Sequence, residues 1–316
     1  MKAWFGGTPA ESDGEAALRR ELADINKRLT HITKAVERLA DARSLDAKWK
    51  RIFRIQMASL VRAQYLQSGL AAPNALEARR FRLRSQNEED GIVLALLQAA
   101  GVATRRFVEI GSGGSGGNSG VLAYELGWNG LMIDASGSAV RAARQLFAAK
   151  PGVVIARATV TPENIDRLVT DLGFAGEIDF LSIDVDSIDY WLLDALTATK
   201  TRVLAVEYNA LFGSERAVTV PNAPRPDGAP KAYYGASLAA LTKCAGRKGY
   251  RLVVCEEAGI NAFFVREGLA ADVPTLTPAQ AWRPKSDRYD VTGEVAGIDM
   301  DLLGILDDKG LPLVDV

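Results

Sequence analysis

Hydrophobic positions divide the chain into stretches of different period. In the first, Leu18, Leu22, Ile25, Leu29, Ile32, Val36 and Leu39 follow one another at alternating steps of four and three. This is a heptad seam, with Leu22, Leu29 and Val36 at a and Leu18, Ile25, Ile32 and Leu39 at d. Charged residues such as Arg19, Glu21, Asp24, Lys27 and Arg28 occupy the other faces. A helix that lies on its own domain usually has a broader apolar stripe, so the narrow seam predicts a coiled-coil-like helix over 15–43 that self-associates into a homo-oligomer. Extending the register puts Arg43 at a and Asp46 at d, which ends the seam. Residues 1–14 read as a flexible tail and 44–84 as a helical linker region. Within the linker, Trp49, Ile52, Phe53, Met57, Leu60, Val61 and Tyr65 form a wider face suited to packing on a globular body.

From residue 85 the pattern changes. β-rich runs at 106–110, 130–134, 152–156, 178–184 and 202–207 alternate with helical stretches at 88–100, 117–127, 137–149, 162–172 and 187–198. Several of the runs are continuously apolar, as expected of parallel strands covered on both faces. The alternation predicts an α/β fold with a doubly wound sheet. A helix over 235–249 follows, then strands at 251–256 and 260–266 joined only by Glu257-Ala258-Gly259. So short a link forces an antiparallel C-terminal hairpin onto a mostly parallel sheet. Residues 267–316 form a C-terminal extension, rich in proline and acids, to which the pattern assigns no chemistry.

Composition narrows the picture in a few places. The 316 residues are 48% hydrophobic and 24% charged, with a net charge of −1, so nothing points to nucleic acid as a partner. No apolar run reaches the roughly 18–20 residues that span a bilayer. The first residues lack the apolar core of a secretory signal. The two cysteines, Cys244 and Cys255, fit buried free thiols in a reducing compartment, and the expected location is cytoplasmic. The single histidine is His31, so no histidine base is available in 85–266.

Candidate chemistry begins at the turn after the strand Arg106-Phe107-Val108-Glu109-Ile110. Gly111, Gly113, Gly114, Gly116 and Gly117 follow within seven residues, and Ser112 and Asn118 flank them. Such a turn lets a ligand approach the backbone, and the next helix offers its N-terminal amides. Gly111, Gly113 and Gly116 also satisfy a dinucleotide fingerprint, so NAD and a purely structural turn are alternatives to S-adenosylmethionine (SAM). Glu109, two residues before the first glycine, matches the E-x-G-x-G motif of methyltransferases and favours SAM. Asp134, with Ala135 after it, ends the next strand, where a carboxylate accepts hydrogen bonds from vicinal ribose hydroxyls. A turn-forming role is its alternative.

A second group is acidic. Asp184 and Asp186 leave one strand, and Glu207, Tyr208 and Asn209 leave the next. Ligands of open α/β sheets sit outside these carboxyl ends, so the group is expected around the crevice of the glycine turn. Asp184, Asp186 and Glu207 are hard oxygen ligands suited to Mg²⁺. Alternatively, a carboxylate acts as general base or orients an acceptor hydroxyl, with Asn209 beside it. The structural alternative is that Asp184 and Asp186 cap the following helix, with Asp189 complementing its N-terminal charge.

Several segments together resemble the FkbM-like methyltransferases: Ser85-Gln86-Asn87-Glu88-Glu89-Asp90-Gly91, the turn at 107–119, and the strand ending at Asp134. The match continues through residues 181–191, 206–213 and 233–265. The resemblance covers about 85–266. It implies a class I, Rossmann-like SAM-dependent methyltransferase domain, often found in polysaccharide, glycolipid or natural-product pathways. It further implies that Ser85 and Gln86 lie near the cofactor, with Glu109, Gly111, Ser112, Gly113, Asn118, Asp134, Ala135 and Asp184. Tyr208, Tyr233 and Tyr234 become candidates for the acceptor pocket, with core packing the alternative for Tyr233 and Tyr234, and the expected reaction is O-methylation of a sugar hydroxyl of a saccharide or glycoconjugate. A catalytically inactive coiled-coil assembly protein and an NAD-dependent oxidoreductase are the other readings.

Overall fold

The computed structural model describes Leu76, residues 79–289, 295–297 and 302–316. The tail at 1–14, the heptad seam at 15–43 and the apolar face at 45–67 lie outside the described residues. Among the described residues no helix is long and apolar enough to cross a membrane.

Seven strands form the main sheet: β1 (Arg106–Ile110), β2 (Asn129–Asp134), β3 (Val153–Arg157), β4 (Gly176–Ile183), β5 (Thr199–Glu207), β7 (Tyr250–Cys255) and β8 (Asn261–Arg266). A two-residue strand, β6 (Val218–Thr219), lies apart and pairs with Val314–Asp315. The order across the sheet is β3-β2-β1-β4-β5-β8-β7. Strand β8 runs antiparallel to both β5 and β7, while the other pairings are parallel. This is the mostly parallel sheet closed by an antiparallel hairpin that the sequence predicts, the layout of the class I methyltransferase fold. The chain leaves β1 toward β2 and β3, then returns to place β4 on the other side of β1. That reversal opens a crevice at the carboxyl ends of β1 and β4.

Alternation along each strand divides the core between two faces. Val108, Ile110, Ile133 and Ile183 pack with the helices Ile165–Asp171, Asp189–Ala195 and Leu238–Arg247. Phe107, Met132, Phe180 and Val203 pack with Glu89–Ala100, Gly120–Tyr124 and Gly137–Leu146 on the opposite face. Glu109 shares its parity with Phe107, so its carboxylate is buried beneath the helix that follows the glycine turn. Cys244 and Cys255 are buried free thiols.

Two expected helices start differently. The stretch predicted at 117–127 opens as a 3₁₀ turn, Gly117–Ser119, and becomes α-helical only over Gly120–Tyr124. The helix predicted from 187 begins at Asp189, because the Asp189 carboxylate accepts from Val185 N (2.8 Å) and Ser187 N (3.2 Å) and keeps that loop non-helical. The extension after 266 packs on the domain: Trp282 Nε1 donates to Ala210 O at 3.1 Å.

Buried carboxylates tie loops to the sheet. Asp179 on β4 accepts from Ala103 N (2.8 Å), Thr104 N (2.7 Å), Thr104 Oγ1 (3.0 Å) and Arg105 N (2.5 Å), fixing the entry to β1. Asp179→Ala strands these donors and should destabilise the protein by about 3 kcal/mol. A denaturation midpoint unchanged in urea would refute that role. Glu256 closes the hairpin by accepting from Ala258 N (2.6 Å), Ile260 N (2.5 Å) and Asn261 N (3.1 Å), and burial pushes its carboxyl up to about 7. Its folded pKa is above the unfolded one, so its contribution to stability is present below about pH 4.5 and is lost as pH rises through about 7. Glu256→Gln should therefore flatten the decline of unfolding free energy over that window, measured by urea titrations at several pH values.

Candidate functional site

The glycine turn is built by contacts of the protein with itself as much as by room for a ligand. Gly111 has φ +86°, and a Cβ there would lie 1.6 Å from the Asp184 carbonyl oxygen. Only glycine lets the ends of β1 and β4 close to this distance. Gly113 differs: a Cβ there would meet nothing within 4 Å, so this part of the turn is open for close approach of a ligand. Its N–H donates to Asp134 Oδ2 at 2.8 Å, and Ser136 N donates to Asp134 Oδ1 at 2.7 Å.

Glu109 lies beneath this surface. Its carboxylate accepts from Asn118 N (3.1 Å) and Ser119 N (2.9 Å) and from the Ser119 hydroxyl. Burial pushes its carboxyl up to about 7 in spite of these hydrogen bonds. The sequence reading expects Glu109 near the cofactor; in the structure its carboxylate gathers the amides that follow the glycine turn and does not itself line the cleft. Ser85 is likewise turned into the protein. It is buried, its hydroxyl accepts from Asp90 N (3.2 Å), and it does not line the cleft, whereas its neighbour Gln86 does.

The cleft has a volume of about 900 Å³. Gln86, Gly111, Ser112, Gly113, Asn118, Asp134, Ala135, Asp184 and Asp186 all line it, so most of the expected cofactor residues meet in one place. Residues 158–161 and 222–225 complete its wall, and neither segment carried a usable motif. Asn261 also lines it; its Oδ1 accepts from Asn118 Nδ2 (3.3 Å) and its Nδ2 donates to Glu89 Oε1 (3.2 Å). These partners are distant in sequence, which explains why Asn261 could not be singled out.

Among the described residues, Asp184, Asp186 and Glu207 offer carboxylate oxygens that all lie within 4.8 Å of one another. Asp186 is exposed and sits at φ +55°, a left-handed backbone that a non-glycine residue adopts only under local constraint. Burial raises the Asp184 carboxyl well above the ordinary range, and the charges of Asp189 and Asp186 add to it. Burial also raises Glu207, with Asp184 the next cause, while the Lys285 ammonium opposes the shift. Glu207 Oε2 is buried without a hydrogen-bond partner. Three hard oxygen donors, mutual repulsion and one orphaned oxygen fit a divalent cation.

The rest of the expected acceptor group divides. Asn209 is buried and fully used, with Nδ2 donating to Ala232 O (2.8 Å) and Tyr234 O (3.0 Å) and Oδ1 accepting from Leu211 N (3.1 Å). It holds a loop and lines neither cavity. Tyr208 is also buried away from the cleft, its hydroxyl donating to Arg283 O (3.1 Å) and accepting from Arg283 N (3.2 Å). Tyr233 and Tyr234 line a smaller cavity of about 210 Å³ beside the cleft, together with Asp186. Lys285 Nζ lies 4.8 Å from the centroid of the Tyr234 ring and meets its hydroxyl. Lys285 comes from the extension that carried no sequence signal.

No protein-family model matches the sequence, and no curated protein matches it. Solved structures give remote likenesses. The N-terminal domain of EvdMO1, determined in the presence of SAH and D-fucose, is 12% identical over 67% of this chain and 94% of that one, with a TM-score of 0.37. The O-methyltransferase from Bacillus cereus in complex with SAH is 12% identical over 73% of this chain and 97% of that one, with a TM-score of 0.36. The CurJ carbon methyltransferase is 14% identical over 58% of this chain and 53% of that one, with a TM-score of 0.37.

Proposed function

We propose that the protein is a SAM-dependent O-methyltransferase acting on a sugar hydroxyl of a saccharide or glycoconjugate, with a divalent cation such as Mg²⁺ held by Asp184, Asp186 and Glu207. One observation carries the reading: a single cleft is lined by the open face of the glycine turn, by Asp134 at the end of β2, and by Asp184 and Asp186. At about 900 Å³ it is large enough for a nucleoside-sized molecule beside an acceptor. The sugar acceptor rests on the FkbM-like resemblance, which belongs to this proposal, as does oligomerisation through residues 15–43.

Bound SAM would supply a methyl carbon on a sulfonium: attack by an acceptor oxygen in line with the C–S bond breaks that bond and releases S-adenosylhomocysteine as the neutral thioether. The protein's task is alignment and disposal of one proton. Asp134 accepts hydrogen bonds from the ribose hydroxyls, while Gln86, Ser112, Gly113, Asn118 and Ala135 surround the remainder of the cofactor. With no histidine in 85–266, proton transfer falls to carboxylates. Without a cation, Asp184, which lines the cleft, would take the acceptor proton as general base. A cation at the three acids would lower the pKa of a coordinated hydroxyl.

Calorimetric titration of the purified protein should show SAM binding, weakened about tenfold or more by Asp134→Ala as charged hydrogen bonds to the ribose are lost. Binding of NADH in place of SAM would overturn the reading in favour of an oxidoreductase, and binding of neither would favour an inactive assembly protein. Mg²⁺ should bind separately, and Glu207→Gln should abolish that binding while sparing SAM. Retention of Mg²⁺ affinity in Glu207→Gln would remove the metal from the proposal.

A further inference from the structure

The smaller cavity adjoins the cleft, since residues 186–188 and 223–225 line both. The rest of its wall is Val220, Pro221, Pro226, Tyr233, Tyr234 and Pro312. These apolar and aromatic surfaces suit the C–H faces of a sugar ring but cannot recognise charge. Charge along the shared border is nearly one-sided. Asp134, Glu163, Asp184 and Asp186 line the cleft, and Asp186 lines the cavity as well. Among the described residues, Arg225 is the only cationic side chain lining either space.

Arg225 is exposed, yet its guanidinium is fixed. Nη2 donates to Ala229 O at 2.9 Å and to Pro230 O, pinning the head group to its own loop. The Nε–H and Nη1 hydrogens have no protein acceptor among the described residues. Nη2 belongs to both two-pronged edges of the guanidinium, so what remains for a ligand is the positive charge and single donors at Nε and Nη1, each able to meet one oxygen of a carboxylate or phosphate. An anionic acceptor entering beside Asp184 and Asp186 would otherwise be repelled. A guanidinium held at the border of both spaces offsets that repulsion for such a substrate and confers no advantage on a neutral one.

We propose that Arg225 is a specificity residue that reads an oxyanion on the acceptor, so that the substrate class is an anionic saccharide, either a sugar acid or a sugar phosphate. This rests on the methyl-transfer reading above, in taking the smaller cavity as the acceptor's. The test is calorimetry on the full chain saturated with S-adenosylhomocysteine, titrated with glucuronic acid, glucose 1-phosphate and glucose. At least one charged sugar should bind about tenfold tighter than glucose, and which one does so distinguishes carboxylate from phosphate. Arg225→Gln should erase this preference while leaving glucose and S-adenosylhomocysteine affinities within about twofold, and Arg225→Lys, which keeps the charge, should retain part of it. No preference for a charged sugar in the wild type, or an undiminished preference in Arg225→Gln, overturns the inference while the methyltransferase reading stands. Failure of S-adenosylhomocysteine to bind at all overturns that reading and this inference with it.

Discussion

The carboxyl ends of β1 and β4 approach so closely that no side chain fits between them. Gly111 faces the carbonyl of Asp184, Asp184 N donates to Ile110 O at 2.9 Å, and Gly111 N donates to Ile133 O at 2.8 Å. These contacts lock three neighbouring strands together at the point where the chain reverses its direction across the sheet. The glycine turn must then rise away from the sheet, with Glu109 gathering its amides from below. Asp134 takes the amide of Gly113 from the side. The shape of the cleft follows from this one close approach, and a Cβ at residue 111 would separate the strands that supply both halves of the site.

Burying carboxylates is the energetic counterpart of that geometry. Glu109, Asp184, Asp189 and Glu207 are all pushed above their ordinary range, with desolvation the largest cause in each. Glu109 and Asp189 recover part of the penalty through backbone hydrogen bonds and so act as architecture. Asp184 and Glu207 recover less. The orphaned Glu207 oxygen and the left-handed backbone at Asp186 concentrate unrelieved electrostatic and conformational strain at one spot, where functional groups characteristically sit.

The wall opposite the glycine turn comes from chain outside the alternating strands and helices. Val220, Pro221, residues 223–226, Tyr233, Tyr234 and Pro312 enclose much of the smaller cavity, and the Tyr233 hydroxyl reaches Pro312 O at 2.6 Å. The strand pair formed by β6 with Val314–Asp315 holds that segment in place. Connections of this kind are free to vary without disturbing the sheet, and binding residues are disproportionately found on them.

Much was legible in the sequence because it is encoded locally. Continuously apolar runs, helical stretches between them and the three-residue link of the hairpin determine strand identity and direction, since each depends on residues close along the chain. The glycine turn, Asp134 and the acid pair Asp184 and Asp186 were visible for the same reason: each is a short motif at the end of a strand. Tertiary structure decided what those residues touch. Parity along β1 turns Glu109 beneath the turn, packing of the chain just past β5 buries Tyr208 against Arg283, and loop packing consumes the amide of Asn209. Glu207 joins Asp184 and Asp186 only because β5 lies beside β4. Lys285, Asn261 and Arg225 reach the site from distant segments, and no local pattern encodes a contact whose two partners are brought together only by the closed sheet.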